Sequence, residues 1–168
     1  MINAFLFWLW RVLPFPGFIR EGIIWFLNPK YLVAVDALIV NDDNACLLFN
    51  HPYRQKYTWG LPGGYLKRGE HPENAIKREV FEESGLDIHV IRLIDVDMKE
   101  SHPRITLVYS EEIVGELKFT PSPEVSEISY FPIDQLPGLF PNQRALIHKH
   151  CYQVDATTTK APHGAPLL

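Results

Sequence analysis

Basic residues are not in excess in this sequence: 16 Lys and Arg stand against 20 Asp and Glu, a formal net charge of -4 over 168 residues. A sequence-independent nucleic-acid binder needs a basic surface to displace counterions, so that class is not expected, and only an RNA end stays open as a target. Cysteine is scarce. Cys46 and Cys151 are the only two, far apart and without metal-ligand spacing, which argues against a disulfide framework and for reduced thiols in a cytoplasmic protein. Long apolar runs are missing as well. No uninterrupted stretch reaches the roughly 18 to 20 residues that span a bilayer. What is present, 46% apolar and 21% charged residues, suits one ordinary globular domain and speaks against wholesale disorder.

The first 29 residues form an apolar extension. Ala4 to Trp10 is wholly apolar, but Arg11, Arg20 and Glu21 interrupt the stretch, and Pro14 and Pro16 break any continuous helix. No basic residue precedes the run and no small-residue cleavage site follows it, so a secretory leader is not expected. Ile19, Ile23, Phe26 and Leu27 recur at helical spacing until Asn28-Pro29 ends the pattern. A helical extension packed on the domain or on a second subunit is the plainer reading, and it leaves a homodimer open. Trp8, Trp10 and Arg11 raise a membrane-surface contact as the alternative.

The domain is expected over 30–154, with a Thr-, Ala- and Pro-rich flexible tail over 155–168. Tyr31–Val40 reads as a buried strand, and Ala45–Phe49 as the second arm of a hairpin across the Asn41–Asn44 turn. Strands follow at Ile88–Ile94, Ile105–Ile113 and Glu127–Phe131, with a short one at Leu117–Phe119. A polar lip over 99–104 carries His102. Helices are expected at Pro72–Ser84 and Asn142–Tyr152. Pro72 suits a first helical turn, and Gly85 suits the left-handed position past a helix end. The pattern predicts an α/β fold, a mixed sheet with helices packed on it.

Chemistry concentrates in the helix at Pro72–Ser84. At about 100° per residue, Glu79, Glu82 and Glu83 fall within one arc of about 100°. Carboxylates three and four apart repel by a few tenths of a kcal/mol in water, and more when partly buried. Most acidic helix faces of this kind are simply solvated. Here the neighbours point elsewhere: Gly63-Gly64 lets backbone approach a ligand closely, and Arg78 can bridge the carboxylates. Hard oxygen ligands select Mg²⁺ or Mn²⁺ over softer metals.

The stretch Gly64, Glu70, Arg78, Glu79, Val80, Glu82, Glu83, Gly85 and Leu86 resembles the Nudix signature at every fixed position, and Trp59–Gly64 before it is similar to the family's usual lead-in. The resemblance covers about Tyr31 to Tyr152. It implies an α/β/α sandwich around a mixed sheet, and a hydrolase that cuts a nucleoside diphosphate from another group, X. Carried over, Glu79, Glu82 and Glu83 are metal ligands with the Gly63 carbonyl as a fourth. Glu70 and Arg78 are the supporting pair. A later acid, Glu127 or Glu124, joins the metal, and Glu82 or Glu127 is the general base.

Around this core, Arg54 and Lys56 are candidates to grip substrate phosphate, Trp59 to stack on a base, and His102 and Arg104 to recognise X. Tyr53 and His51 are similar to Trp59 in this respect. The expected partner is a small nucleotide. X is left open among ADP-ribose or a nucleotide sugar, a nucleoside triphosphate, a dinucleoside polyphosphate and a capped RNA end. Two rival readings are a Nudix fold that binds a nucleotide or partner without turnover, and a membrane-peripheral enzyme.

Overall fold

The computed structural model describes residues 16–99 and 103–151, in two units that divide after Tyr31. The apolar run Ala4–Trp10, His102 and the tail over 155–168 lie outside the described residues. In the first unit, helix α1 spans Gly17–Leu27. Pro29 cannot continue it, and Asn28 closes it by donating its side-chain amide to the Ile24 carbonyl at 2.6 Å. Lys30 donates to the Phe26 carbonyl at 3.1 Å and sits 4.4 Å from the Trp25 ring. Among the described residues, no helix is long and apolar enough to cross a membrane.

The second unit is built on β1 (Leu32–Ile39), β2 (Ala45–Asn50), β3 (Trp59–Gly60), β4 (Gly63–Tyr65), β5 (Ile88–Lys99), β6 (Arg104–Ile113) and β7 (Glu127–Pro132), with helices α2 (Pro72–Ser84) and α3 (Pro141–Cys151). Four strands form a mixed sheet in the order β4-β1-β6-β5, in which β1 and β6 run parallel. The other three form an antiparallel sheet, β3-β2-β7.

Side-chain alternation along β1 assigns the layers. Val35, Ala37 and Ile39 join a core with Ala75, Ile76 and Val80 of α2, whereas Leu38 joins a second core with Leu146, Ile147 and Cys151 of α3. The two helices therefore lie against opposite faces, which is the α/β/α arrangement. Helix α2 begins at Pro72 and stops at Gly85, whose φ of 73° is left-handed and whose N–H returns to the Phe81 carbonyl at 2.8 Å.

Two expectations need correction. β1 and β2 do not form a hairpin ladder, because β4 and β6 already occupy both edges of β1. A single bridge, Val40 to Cys46, joins the two segments before the chain passes into the second sheet. Asn41 shapes that turn by accepting the Asp43 and Ala45 N–H groups on its side chain. Leu117–Phe119 is not a strand. The segment turns after Gly115, binds the Ser84 carbonyl through the Thr120 N–H, and lays Phe119 on the α2-side core. Strand β5 carries two register shifts, between Val90 and Arg92 and between Leu93 and Asp95. Cys46 and Cys151 are free thiols in the same apolar core, and burial pushes Cys151 up to about 11.

One acidic side chain is buried within the sheet. Glu111 on β6 is 3% exposed, and among the described residues neither carboxylate oxygen has a hydrogen-bond partner. Burial pushes its pKa up to about 8, only partly offset by Lys77. The folded state thus keeps this proton to higher pH than the unfolded chain does. The stability it contributes is complete below about pH 4.5 and lost as pH rises through 8. Glu111→Gln is expected to gain on the parent across that window by up to about 1.4 kcal/mol per pH unit. Urea unfolding at several pH values checks this; a difference that does not change with pH would contradict it.

Candidate active site

The site is assembled from β1, the 51–66 segment, α2 and the start of α3, around a cavity of about 700 Å³. At Pro62-Gly63-Gly64 the backbone of β4 is drawn tightly against β1: Ala37 N–H donates to the Pro62 carbonyl at 2.9 Å, and Asp36 pairs with Gly63. A Cβ on Gly63 would lie 2.1 Å from the Val35 carbonyl oxygen, and its φ of 152° is one that side chains rarely adopt. A Cβ on Gly64 would lie 2.4 to 2.6 Å from the carboxylate of Glu79. Gly63 is thus the condition for the close approach of β4 to β1, and Gly64 leaves room for the Glu79 carboxylate of α2.

Glu79 and Glu83 both line the cavity, together with Gly63, Gly64 and Glu124. Glu83 is 5% exposed and accepts the Gly63 N–H at 3.2 Å. Burial pushes its pKa up to about 8; the Gly63 bond opposes this, while the charges of Glu79 and Glu124 add to it. Glu82 lies on the exposed side of α2, 3.4 Å from Lys67.

Arg78 ties the group together. Its Nε and Nη2 bond both oxygens of Glu70 at 2.8 and 2.9 Å, Nη1 reaches Glu79 at 2.7 Å and Glu82 at 3.0 Å, and Nη2 also donates to the Tyr65 carbonyl. Glu70, which also accepts the Lys67 N–H, is held by Arg78 down at about 2. The pairing of Glu70 with Arg78 therefore fixes the guanidinium between the strand and the carboxylates.

The donors suit a hard divalent cation. They are carboxylate oxygens beside bare glycine backbone, and a buried Glu83 facing Glu79 and Glu124 is a concentration of negative charge that a cation would relieve. Among the described residues, no three His, Cys, Asp or Glu side chains already form a cage, and Arg78 is the counter-charge of Glu79 and Glu82.

A second set of groups faces the same cavity. Asp36, in mid-β1, is pushed up to about 6 by burial, against the pull of Arg104, a bond from Gln143 and Arg54. Asn142 and Gln143 of α3 line the wall with Tyr53 and Phe140, and Arg54 stacks between those two rings at 5.8 and 5.9 Å.

The sequence-selected residues divide accordingly. Gly63, Glu79, Glu83, Arg54 and Arg104 border the cavity. Of the two later acids, Glu124 borders it, whereas Glu127 is exposed at the start of β7 opposite Asn50 and is not in the cavity wall. Trp59 does not stack over the cavity: it packs edge-on against Phe131, 4.8 Å between ring centres, because strand β3 directs it toward the α3-side core. His51 is buried behind the wall with its pKa lowered to about 4 by burial. Asp36, Asn142 and Gln143 were not singled out from the sequence. For Asp36 the signal was available: one carboxylate inside the apolar run Leu32–Ile39.

An acidic helix and a double-glycine strand sharing one cavity, in an α/β/α sandwich, define a class of phosphate-handling domain. The family model for the NUDIX domain matches residues 30–152, and the chain belongs to the Nudix family. Members of that family generally act with divalent metal ions. The chain is 35% identical over 121 residues to an ADP-ribose pyrophosphatase of Methanocaldococcus jannaschii, covering 68% of either protein. It is 28% identical over 102 residues to the NAD-capped RNA hydrolase NudC of Vibrio atlanticus, over 61% of this chain and 38% of that one. Among solved structures, a UDP-X diphosphatase matches with a TM-score of 0.64 at 26% identity, over 81% of this chain and 72% of that one. A NUDIX hydrolase from Nitrosomonas europaea shares the fold with a TM-score of 0.68 at 20% identity, over 77% and 75% of the two chains.

Proposed function

We propose that this protein is a Mg²⁺- or Mn²⁺-dependent pyrophosphohydrolase that cuts the diphosphate linkage between a nucleoside diphosphate and a second group, X. The observation that carries the reading is the meeting of Glu79 and Glu83 with Gly63-Gly64 and Glu124 on one cavity, beside the cations Arg54, Lys67 and Arg104. A diphosphate is too anionic to enter an acidic site unaided. A bound divalent ion would shield that charge, polarise phosphoryl oxygens and acidify water. Glu79, Glu83 and Glu82 would hold it, with the Gly63 backbone and a later acid completing the set; Glu124 suits this last role better than Glu127, since it borders the cavity.

The chain's own groups account for the rest. Arg54 and Arg104 take phosphate oxygens, Tyr53 and Phe140 offer ring faces, and Glu70 with Arg78 keeps α2 in register with β4. The reading is supported by the relatives named as pyrophosphatases and diphosphatases. The test is hydrolysis of a panel of nucleoside diphosphate derivatives and triphosphates with Mg²⁺ or Mn²⁺, the products being identified by mass. Turnover that needs the metal and stops with chelator is expected. Activity that survives chelation would sink the mechanism, and nucleotide binding without turnover would replace it with a binding module.

A further inference from the structure

Helix α1 buries none of its side chains, whereas α2 and α3 each bury an apolar face. Phe18, Trp25, Phe26 and Leu27 are two-thirds or more exposed. At about 100° per residue, Trp25, Phe18, Phe26, Ile19, Ile23 and Leu27 fill a continuous arc of about 200°. A helix that packs one face on a protein core needs a stripe of roughly half that width. Arg20 and Glu21 lie on the remaining side. So broad and aromatic a face does not match the narrow line of anchors, three and four residues apart, that a protein groove reads.

The end of the helix suits a lipid surface. Trp25 lies in the last turn, and Lys30 is held beside it. The Lys30 Nζ donates to the Phe26 carbonyl at 3.1 Å and stands 4.4 Å from the Trp25 ring and 5.9 Å from that of Phe26. Indole rings settle at the level of lipid head groups, and a lysine stem lies along apolar surface while its ammonium reaches phosphate. The charge has the matching sign. Over residues 1–31, Arg11, Arg20 and Lys30 stand against Glu21 alone, in a chain of net charge -4. The helix does not span a bilayer: its 11 residues measure about 16 Å, roughly half the hydrocarbon thickness. It is suited to lie along the surface, with its wide face in the acyl region.

We propose that α1 is a docking helix that seats the protein on the surface of an anionic phospholipid bilayer, with Phe18, Trp25, Phe26 and Leu27 among the acyl chains and Lys30 at the phosphates. The seat belongs to the first unit and does not depend on which bond the second unit cuts.

The test mixes the full-length protein with vesicles of phosphatidylcholine alone, or of phosphatidylcholine and phosphatidylglycerol in equal parts. Bound protein is measured by co-sedimentation, and the seating of tryptophan by the blue shift of its emission. Binding to the mixed vesicles is expected, on the order of tenfold tighter than to phosphatidylcholine alone and weakened by salt. Trp25→Ser combined with Phe26→Ser should lower it by on the order of tenfold or more. Lys30→Glu should remove most of the preference for the anionic lipid and leave binding to phosphatidylcholine. Thermal melting identifies a variant that has failed to fold; if the double variant does, Lys30→Glu decides in its place. No co-sedimentation, or binding unchanged in both variants, would overturn the proposal. So would self-association through α1: a dimer in analytical ultracentrifugation that the double variant lacks, with vesicles left unbound.

Discussion

Replacing Glu83 by Gln is expected to lower turnover on the order of 100-fold or more while leaving the metal-free fold at least as stable as the parent at neutral pH. The two effects come apart because the side chain has two opposed roles. Its carboxylate is poorly solvated and faces Glu79 and Glu124, so in the absence of a cation the protein holds it with a pKa raised to about 8. An amide of the same shape removes the buried charge and can still accept the Gly63 N–H. It cannot supply an anionic oxygen to a cation. Steady-state rates with saturating Mg²⁺, set beside urea unfolding in chelator, separate the two effects. Rates within a few-fold of the parent would remove Glu83 from the metal site. A large drop in stability would show that its charge, not its shape, holds the turn.

The two adjacent glycines should fail in different ways. Gly63→Ala sets a Cβ 2.1 Å from the Val35 carbonyl, against rigid backbone and at a φ of 152°. The β1–β4 ladder must move, and a loss on the order of 3 kcal/mol or more is expected. Gly64→Ala meets only the end of the Glu79 side chain, at 2.4 to 2.6 Å, and that side chain can swing aside at low cost. The second variant should therefore melt close to the parent yet lose most activity, because Glu79 has been turned away from the cavity. Thermal melting and rates on the two proteins decide this. Equal melting temperatures for both variants would mean that β4 is far more pliable than its contacts imply.

The carboxylate helix was legible because its signals are local. Pro72 and Gly85 mark its ends, and three glutamates on one arc need no knowledge of the rest of the chain. The strand order was not legible in the same way. A turn at Asn41–Asn44 between two apolar runs looks like a hairpin, and only the competition of β4 and β6 for the edges of β1 sends β2 to the other sheet. Trp59 was ambiguous for a related reason: nothing nearby in sequence says which side of a two-residue strand meets the core. Glu124 and Glu127 are three residues apart in one acidic stretch, and their separation into cavity wall and exposed strand is a matter of where β7 begins. Asp36 was the readable signal left unread, a charge where a strand should carry none. Gln143 and Asn142 gave no signal, since polar residues early in a helix are ordinary.

The register shifts in β5 bear on how this protein behaves in a crowded solution. β5 is twelve residues long and borders the sheet, and it exposes Leu93, Val96 and Met98. Such a margin is the usual seed for stacking of one molecule on the next. Each shift breaks the even spacing of outward N–H and C=O groups and bends the strand. An incoming strand would find its bonds in phase for only a few residues at a time, so the margin is a poor template for growth into fibres.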